Sequence, residues 1–218
     1  MFASIRRYRL QRGSMAELAR RVDDGLAGDI AQLPGFVAYE FIDCRDGEIM
    51  TLSVFREADQ AEASRELAQR WTEENLQDLE FSRLEAMRGE ILVSRAAEHM
   101  LEPAHAGAAR RFATMRRYAL RPGSIPALMH IVDETFADRI EAIDGFEAYH
   151  ALDCSGGEIA SISVLRDAGA AEDSDELALE FVRRELGDFE IERIETIAGE
   201  VLISRAKAEL LEPAPVAD

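Results

Sequence analysis

Residues 2–104 recur at 112–214 with a constant offset of 110 residues and no gap. Phe2-Ala3, Arg6-Arg7-Tyr8, Gly13-Ser14, Gly35-Phe36, Asp43-Cys44, Gly47-Glu48-Ile49 and Gly89-Glu90 return as Phe112-Ala113, Arg116-Arg117-Tyr118, Gly123-Ser124, Gly145-Phe146, Asp153-Cys154, Gly157-Glu158-Ile159 and Gly199-Glu200. The stretch Leu101-Glu102-Pro103-Ala104 returns as Leu211-Glu212-Pro213-Ala214, and about 47 of the 103 aligned positions are identical. A period this long marks a duplicated domain rather than a solenoid of short repeats. It predicts two domains of ordinary size, 1–105 and 106–218, and any element assigned to one copy must be readable in the other.

Each copy alternates between two apolar periods. Ile5 to Leu10 reads as a strand ending at Gly13. Ser14 and Glu17 have the spacing of a capping box, and Leu18, Val22, Leu26, Ile30 and Leu33 then form a helical stripe. The second copy keeps it through Leu128, Val132, Phe136, Ile140 and Ile143 behind Ser124, with Pro126 in the first turn. Phe36 to Cys44 is a second strand. Arg45-Asp46-Gly47, or Ser155-Gly156-Gly157, turns it into a return strand over Glu48 to Phe55, or Glu158 to Leu165. A second helix spans about 58–76, and a long last strand over about 79–95 carries Gly89, where a bulge is expected, as at Gly199.

The order strand, helix, strand, strand, helix, strand predicts an α+β fold of two ferredoxin-like βαββαβ halves. Both helices fall on one face of each sheet, so the other face needs cover. Met50, Leu52 and Val54 are uniformly apolar and suit the helix side, against a mixed Ile49, Thr51, Ser53 and Phe55. We therefore expect two sheets packed face to face or closed as a barrel, an intrachain pseudo-dimer about a pseudo-two-fold axis. Residues 102–108 have linker composition.

Composition limits the partners. A formal charge of −18 disfavours nucleic acid, whose phosphates need clustered cations. No apolar run approaches the roughly 18 residues of a membrane span. Charge near the N-terminus, at Arg6 and Arg7, gives no export signal, so a cytoplasmic location is expected. Lys207 is the single lysine, in keeping either with genome composition or with an acidic, high-salt adaptation. Cys44 and Cys154 are expected to be free thiols, a bridge requiring alpha carbons within roughly 7 Å. No metal-ligand spacing is present.

With Arg-Arg-Tyr on the first strand, Gly-Ser before the first helix, Pro34-Gly35-Phe36 before the second strand and the 48–55 strand leading into a helix, each copy resembles the antibiotic biosynthesis monooxygenase domain of the dimeric α+β barrel superfamily. The resemblance implies that fold, and a superfamily of cofactor-independent quinone-forming monooxygenases, haem-degrading enzymes and chlorite-dismutase-like haem proteins. Haem-degrading members resemble one another in an Asn on the first strand and a Trp and His on the second helix. Here the Asn place falls on Arg6 and Arg116, the Trp place near Ser64 and Ser174, and the helix has no histidine. The haem-degrading route does not carry over, and the link to the monooxygenases rests on fold.

Several side chains carry two readings. Arg6 and Arg7 sit on a central strand and must face opposite sides. They either pair with Glu85, Glu195, Glu90 or Glu200 on the last strand, or, with Tyr8, hold the oxygens of a phenol, quinone or carboxylate. Trp71, replaced by Phe181, is either core or a flat wall for a planar ligand; Ser64 lies on the same helix face. Glu40 and His150 share one position, in parity with Phe36, Ala38 and Ile42, and are either satisfied buried groups or a base tuned by burial. His130 lies off the helical stripe.

Three functions follow. The first is binding of a planar phenolic or quinone-like small molecule, with monooxygenase activity that needs no cofactor, using Arg6, Tyr8, Ser64 and Trp71 for substrate and His150 or Glu40 for catalysis. The second is a non-catalytic ligand-binding or stress-related module. The third is a haem protein of chlorite-dismutase type with His130 or His150 as axial ligand. Association beyond the two halves, into a homo-oligomer, is open. If a site exists, the N-terminal copy is favoured for planar-ligand binding.

Overall fold

The structure is a computed structural model that describes residues 1–106, 111–121 and 125–212. The Gly123-Ser124 pair, the end of the linker and the second Pro-Ala pair lie outside the described residues. Elements follow in the order β1 (Phe2–Arg12), α1 (Met15–Arg21), a π-helical turn (Val22–Leu26), α2 (Ala27–Ala31), β2 (Phe36–Asp43), β3 (Glu48–Phe55), α3 (Ala58–Asn75) and β4 (Glu80–Ala96). The same series returns as β5 (Arg111–Leu120), α4 (Ile125–Ile131), a π-helical turn (Val132–Phe136), α5 (Ala137–Glu141), β6 (Phe146–Asp153), β7 (Glu158–Leu165), α6 (Ala168–Glu185) and β8 (Ile191–Ala206). Among the described residues eight strands close into an antiparallel barrel in the order β1-β3-β2-β8-β5-β7-β6-β4.

The chain forms two compact units, and they exchange strand ends. The first unit comprises Met1–Arg88, Leu101–Arg110 and Gly199–Leu210; the second comprises Gly89–Met100, Arg111–Ala198 and Leu211–Asp218. The long strands β4 and β8 therefore each begin in one unit and end in the other, changing over at Gly89 and Gly199. Within the second unit the end of β4 pairs with β6, and within the first the end of β8 pairs with β2. Glycine is required at the changeover, since a Cβ on Gly89 would lie 2.4 Å from the Asp153 carbonyl oxygen and one on Gly199 2.5 Å from that of Asp43. The bulge expected at these glycines lies further on, where the register shifts between Ile91 and Val93 and between Val201 and Ile203.

The helices lie on the face opposite to the one the apolar alternation predicts. In the first unit the helix-side core joins Leu18, Val22, Leu26 and Ile30 to Tyr39, Phe41, Ile49 and Phe55, the mixed face of β3. Met50, Leu52 and Val54 are buried on the opposite face. Both faces of β2 and β3 are covered, so polarity alternation could not tell one from the other. A register shift between Phe36 and Ala38 also breaks the parity of β2. Phe36 packs edge-on to Phe55 with centroids 5.9 Å apart, while Ala38, Glu40 and Ile42 pair with Val54, Leu52 and Met50 on the face away from the helices.

The first helix is not one continuous α-helix. Its stripe repeats every four residues, and each such step overshoots a 3.6-residue turn by about 40°, about 120° from Leu18 to Ile30. The π-helical turn takes in an extra residue per hydrogen-bonded loop and keeps Val22, Leu26 and Ile30 on one face. Ser14 stands at the N-cap without a side-chain cap bond. Glu17, the expected partner, is drawn instead to Arg20 and Arg21 at 3.0 and 2.7 Å.

Candidate functional site

The first unit holds a cavity of about 540 Å³ between α1–α2, α3 and the sheet. Its floor is apolar, formed by Leu18, Val22, Leu26, Ile30, Phe41 and Leu76, and its polar wall carries Arg6, Tyr8, Tyr39 and Thr51. Arg65, Glu73 and Arg83 also line it. This is a concave, largely apolar site with a few convergent polar groups.

Arg6 is the unusual member. It is 7 % exposed, and among the described residues no hydrogen bond or ion pair holds its guanidinium. Burial lowers its pKa, the nearby tyrosines acting in the opposite sense. Burial raises the pKa of Tyr8 and of Tyr39, so both stay neutral hydroxyls able to donate. Arg7 points to the other side, as strand alternation requires, and bonds Glu85 at 3.0 Å; its copy Arg117 meets Glu195 at 3.6 Å. The two readings of the Arg-Arg pair thus divide between its members, with the ion pair on Arg7 and the cavity on Arg6.

The second unit shows what the same scaffold does when the site is closed. Its corresponding cavity measures about 40 Å³. Phe136 stands where the first copy has Leu26, and its ring lies 4.9 Å from that of Phe181 and 5.3 Å from that of Tyr149, centroid to centroid. Arg116 is fully buried and fully held: Nε donates to Asp175 at 2.8 Å, and the terminal nitrogens donate to Ser163 and Ser174 at 3.1 and 2.8 Å. Arg193 bonds the same Asp175 at 3.0 Å.

Of the residues singled out in the sequence, Arg6 and Tyr8 line the cavity and Ser64 and Trp71 do not. Ser64 is buried and donates to the Ala61 carbonyl at 2.7 Å. Trp71 lies over the π-helical turn, where a Cβ on Gly25 would come within 3.0 Å of the indole. Glu40 and His150 line neither cavity. Each is bonded to the exchanged strand end of its own unit: Ser204 Oγ donates to Glu40 at 2.9 Å, and Ser94 Oγ lies 3.0 Å from His150 Nδ1. Burial lowers the His150 pKa to about 4. Tyr39, Arg65, Glu73 and Arg83 were not found from the sequence. The signal available for Arg65 was the reversal of charge between the copies, Arg65 against Asp175.

Among the described residues the cavity lining offers a haem group no histidine, cysteine or methionine ligand. His130 is an exposed surface residue 3.3 Å from Glu134, and His150 is buried outside both cavities. Among the described residues no cluster of metal-ligating side chains occurs, and no helix is long and apolar enough to cross a membrane.

At the level of sequence no family model and no curated protein matches the chain. Solved structures do resemble it. A proposed monooxygenase from Fusobacterium nucleatum superposes with a TM-score of 0.69 at 6% identity, covering 94% of each chain. One from Lactobacillus acidophilus gives 0.60 at 11% identity over 100% of both. A variant of the chlorite dismutase of Candidatus Nitrospira defluvii gives 0.57 at 10% identity, covering 92% of this chain and 90% of that one. At such identities the likeness shows a shared fold.

Proposed function

We propose that the protein binds a planar phenolic or quinone-like small molecule in the first unit and acts on it as a monooxygenase of the antibiotic-biosynthesis type without a cofactor. The observation that carries this reading is the buried Arg6, without a partner of its own, beside the Tyr8 and Tyr39 hydroxyls over an apolar floor. Residues 1–105 and 106–218 are then two ferredoxin-like copies of that domain. The strand orders β4-β1-β3-β2 and β8-β5-β7-β6 support this.

The chemistry asked of the chain is modest. Arg6 lowers the pKa of a substrate hydroxyl beside it and stabilises the oxyanion. Tyr8 donates to the same oxygen, and Glu73 is the one carboxylate of the lining able to take the proton. The electron-rich anion then reduces oxygen. In balance, a ring CH₂ and O₂ give a carbonyl and water, one oxygen atom entering the product and the other leaving with both hydrogens. The similarity to proposed monooxygenases agrees with this reading. The test is oxygen uptake by the purified chain with a panel of anthrones, one O₂ consumed per quinone formed. No uptake, with ligand binding intact, leaves a non-catalytic binding module.

A further inference from the structure

The second unit carries a carboxylate, Asp175, at the position where the first carries Arg65. Under the 110-residue offset Arg6, Tyr8 and Arg83 correspond to Arg116, Tyr118 and Arg193. In the second unit the two arginines converge on one carboxylate. Asp175 accepts from Arg116 at 2.8 Å and from Arg193 at 3.0 and 3.2 Å through its two oxygens. Arg193 also donates to the Tyr118 hydroxyl at 3.3 Å and lies over its ring, 5.6 Å from the centroid.

In the first unit the acidic position holds Arg65, so the lining presents three arginines against the single carboxylate of Glu73. Arg65 is itself paired with Glu62 at 2.7 Å. Arg6 and Arg83, whose counterparts share Asp175, make no ion pair among the described residues. Ser53, whose counterpart Ser163 bonds Arg116, is fully buried with no hydrogen-bond partner for its hydroxyl. The cation frame is kept, the internal anion is replaced, and a cavity of about 540 Å³ lies beside it.

We propose that the ligand of the first unit is an anionic planar aromatic, whose carboxylate is held between Arg6 and Arg83 as Asp175 is held between Arg116 and Arg193. The flat apolar body lies on Leu18, Val22, Leu26 and Phe41. This deepens the functional reading given above and rests on the cavity being a ligand site. It also accounts for three arginines lining one cavity of a chain whose net charge is −18. Charge-assisted bidentate pairing with arginine is the interaction that favours a carboxylate over a neutral group of the same shape.

Calorimetry on the full-length chain, with 2-naphthoate and the uncharged 2-naphthamide, tests this. Naphthoate should bind at least about tenfold more tightly than naphthamide, the difference of one good charge-assisted hydrogen bond. Arg65→Asp, which supplies the first unit with its own carboxylate, should abolish naphthoate binding and raise the thermal midpoint. Should Arg65→Asp not fold, Arg6→Gln decides in the same way by losing the preference for naphthoate. Equal affinity for the two probes, binding of neither, or a preference that survives Arg6→Gln would overturn the proposal. The two readings fail separately: a preference for naphthoate without oxygen uptake sinks the monooxygenase alone, and oxygen uptake without that preference sinks the anion site alone.

Discussion

At the scale of single residues, the two buried arginines at one position have opposite consequences for stability. Arg116 is held by Asp175, and removing one partner of a buried pair strands the other. Asp175→Ala should therefore destabilise the second unit by about 2–3 kcal/mol, read as a lower urea midpoint. Arg6 already lacks a partner, so Arg6→Met should leave stability unchanged or raise it. His150 has a pH signature. Its folded pKa of about 4 lies below the ordinary 6.5, so the unfolded chain binds the extra proton between those values. Stability is present in full above pH 6.5 and falls as pH drops towards 4, by about 3 kcal/mol for this one group. Urea titrations at pH 7.5 and 4.5 should show a smaller loss in His150→Gln, which can still bond Ser94 but does not titrate. Cys44 and Cys154 are free, with thiol pKa values pushed up by burial to about 12 and about 11. At pH 8 their reaction with a disulfide reagent should be at least about a hundredfold slower than that of an exposed thiol, because the thiolate is the reactive form.

At the scale of elements, the π-helical turns decide how much room is left against the sheet. Both copies need one, because both stripes advance in steps of four, and that requirement is legible in the spacing of Leu18, Val22, Leu26 and Ile30. What the spacing does not show is the result of one substitution on the turn. Phe136 meets Phe181 and Tyr149 and closes the second cavity, whereas Leu26 leaves the first open. Leu26→Phe should reduce ligand affinity at least about tenfold without destabilising the fold, since the scaffold already accepts the larger ring in its other copy. Calorimetry with the same probe on the variant would check it. Trp71→Phe should change affinity little, because the indole lies on Gly25 and outside the lining.

At the scale of the molecule, the exchanged strand ends determine what can fold alone. A fragment of residues 1–105 retains β1, β3, β2 and their helices but lacks Gly199–Leu210, which belongs to the same compact unit. Its β2 would present an open edge along Ala38–Asp43, and the buried Glu40 would lose Ser204. Open edges of apolar strands recruit other chains. The fragment should self-associate or behave as a molten species in size-exclusion chromatography with light scattering, whereas the full chain should elute as a defined particle. A well-folded monomeric fragment would refute this.

The sequence by itself determined the period, the order of elements in each copy, the hairpins at residues 45–47 and 155–157, and the opposite facing of Arg6 and Arg7. All of these rest on local spacing or on strict alternation along one strand. The tertiary structure alone decided which face of each sheet meets the helices, because strands covered on both faces have no polarity to read and the break after Phe36 reverses the parity of β2. It likewise decided that Glu40 and His150 tie strands together instead of lining a cavity. Partner and solvent are assigned by residues more than fifty positions away, Ser94 for His150 and Ser204 for Glu40, and no local pattern encodes them. The difference between the cavities, about 540 against about 40 Å³, came from Leu26 against Phe136 and Arg65 against Asp175, substitutions visible in the aligned copies. Their meaning appears only when the fold sets position 65 beside Arg6.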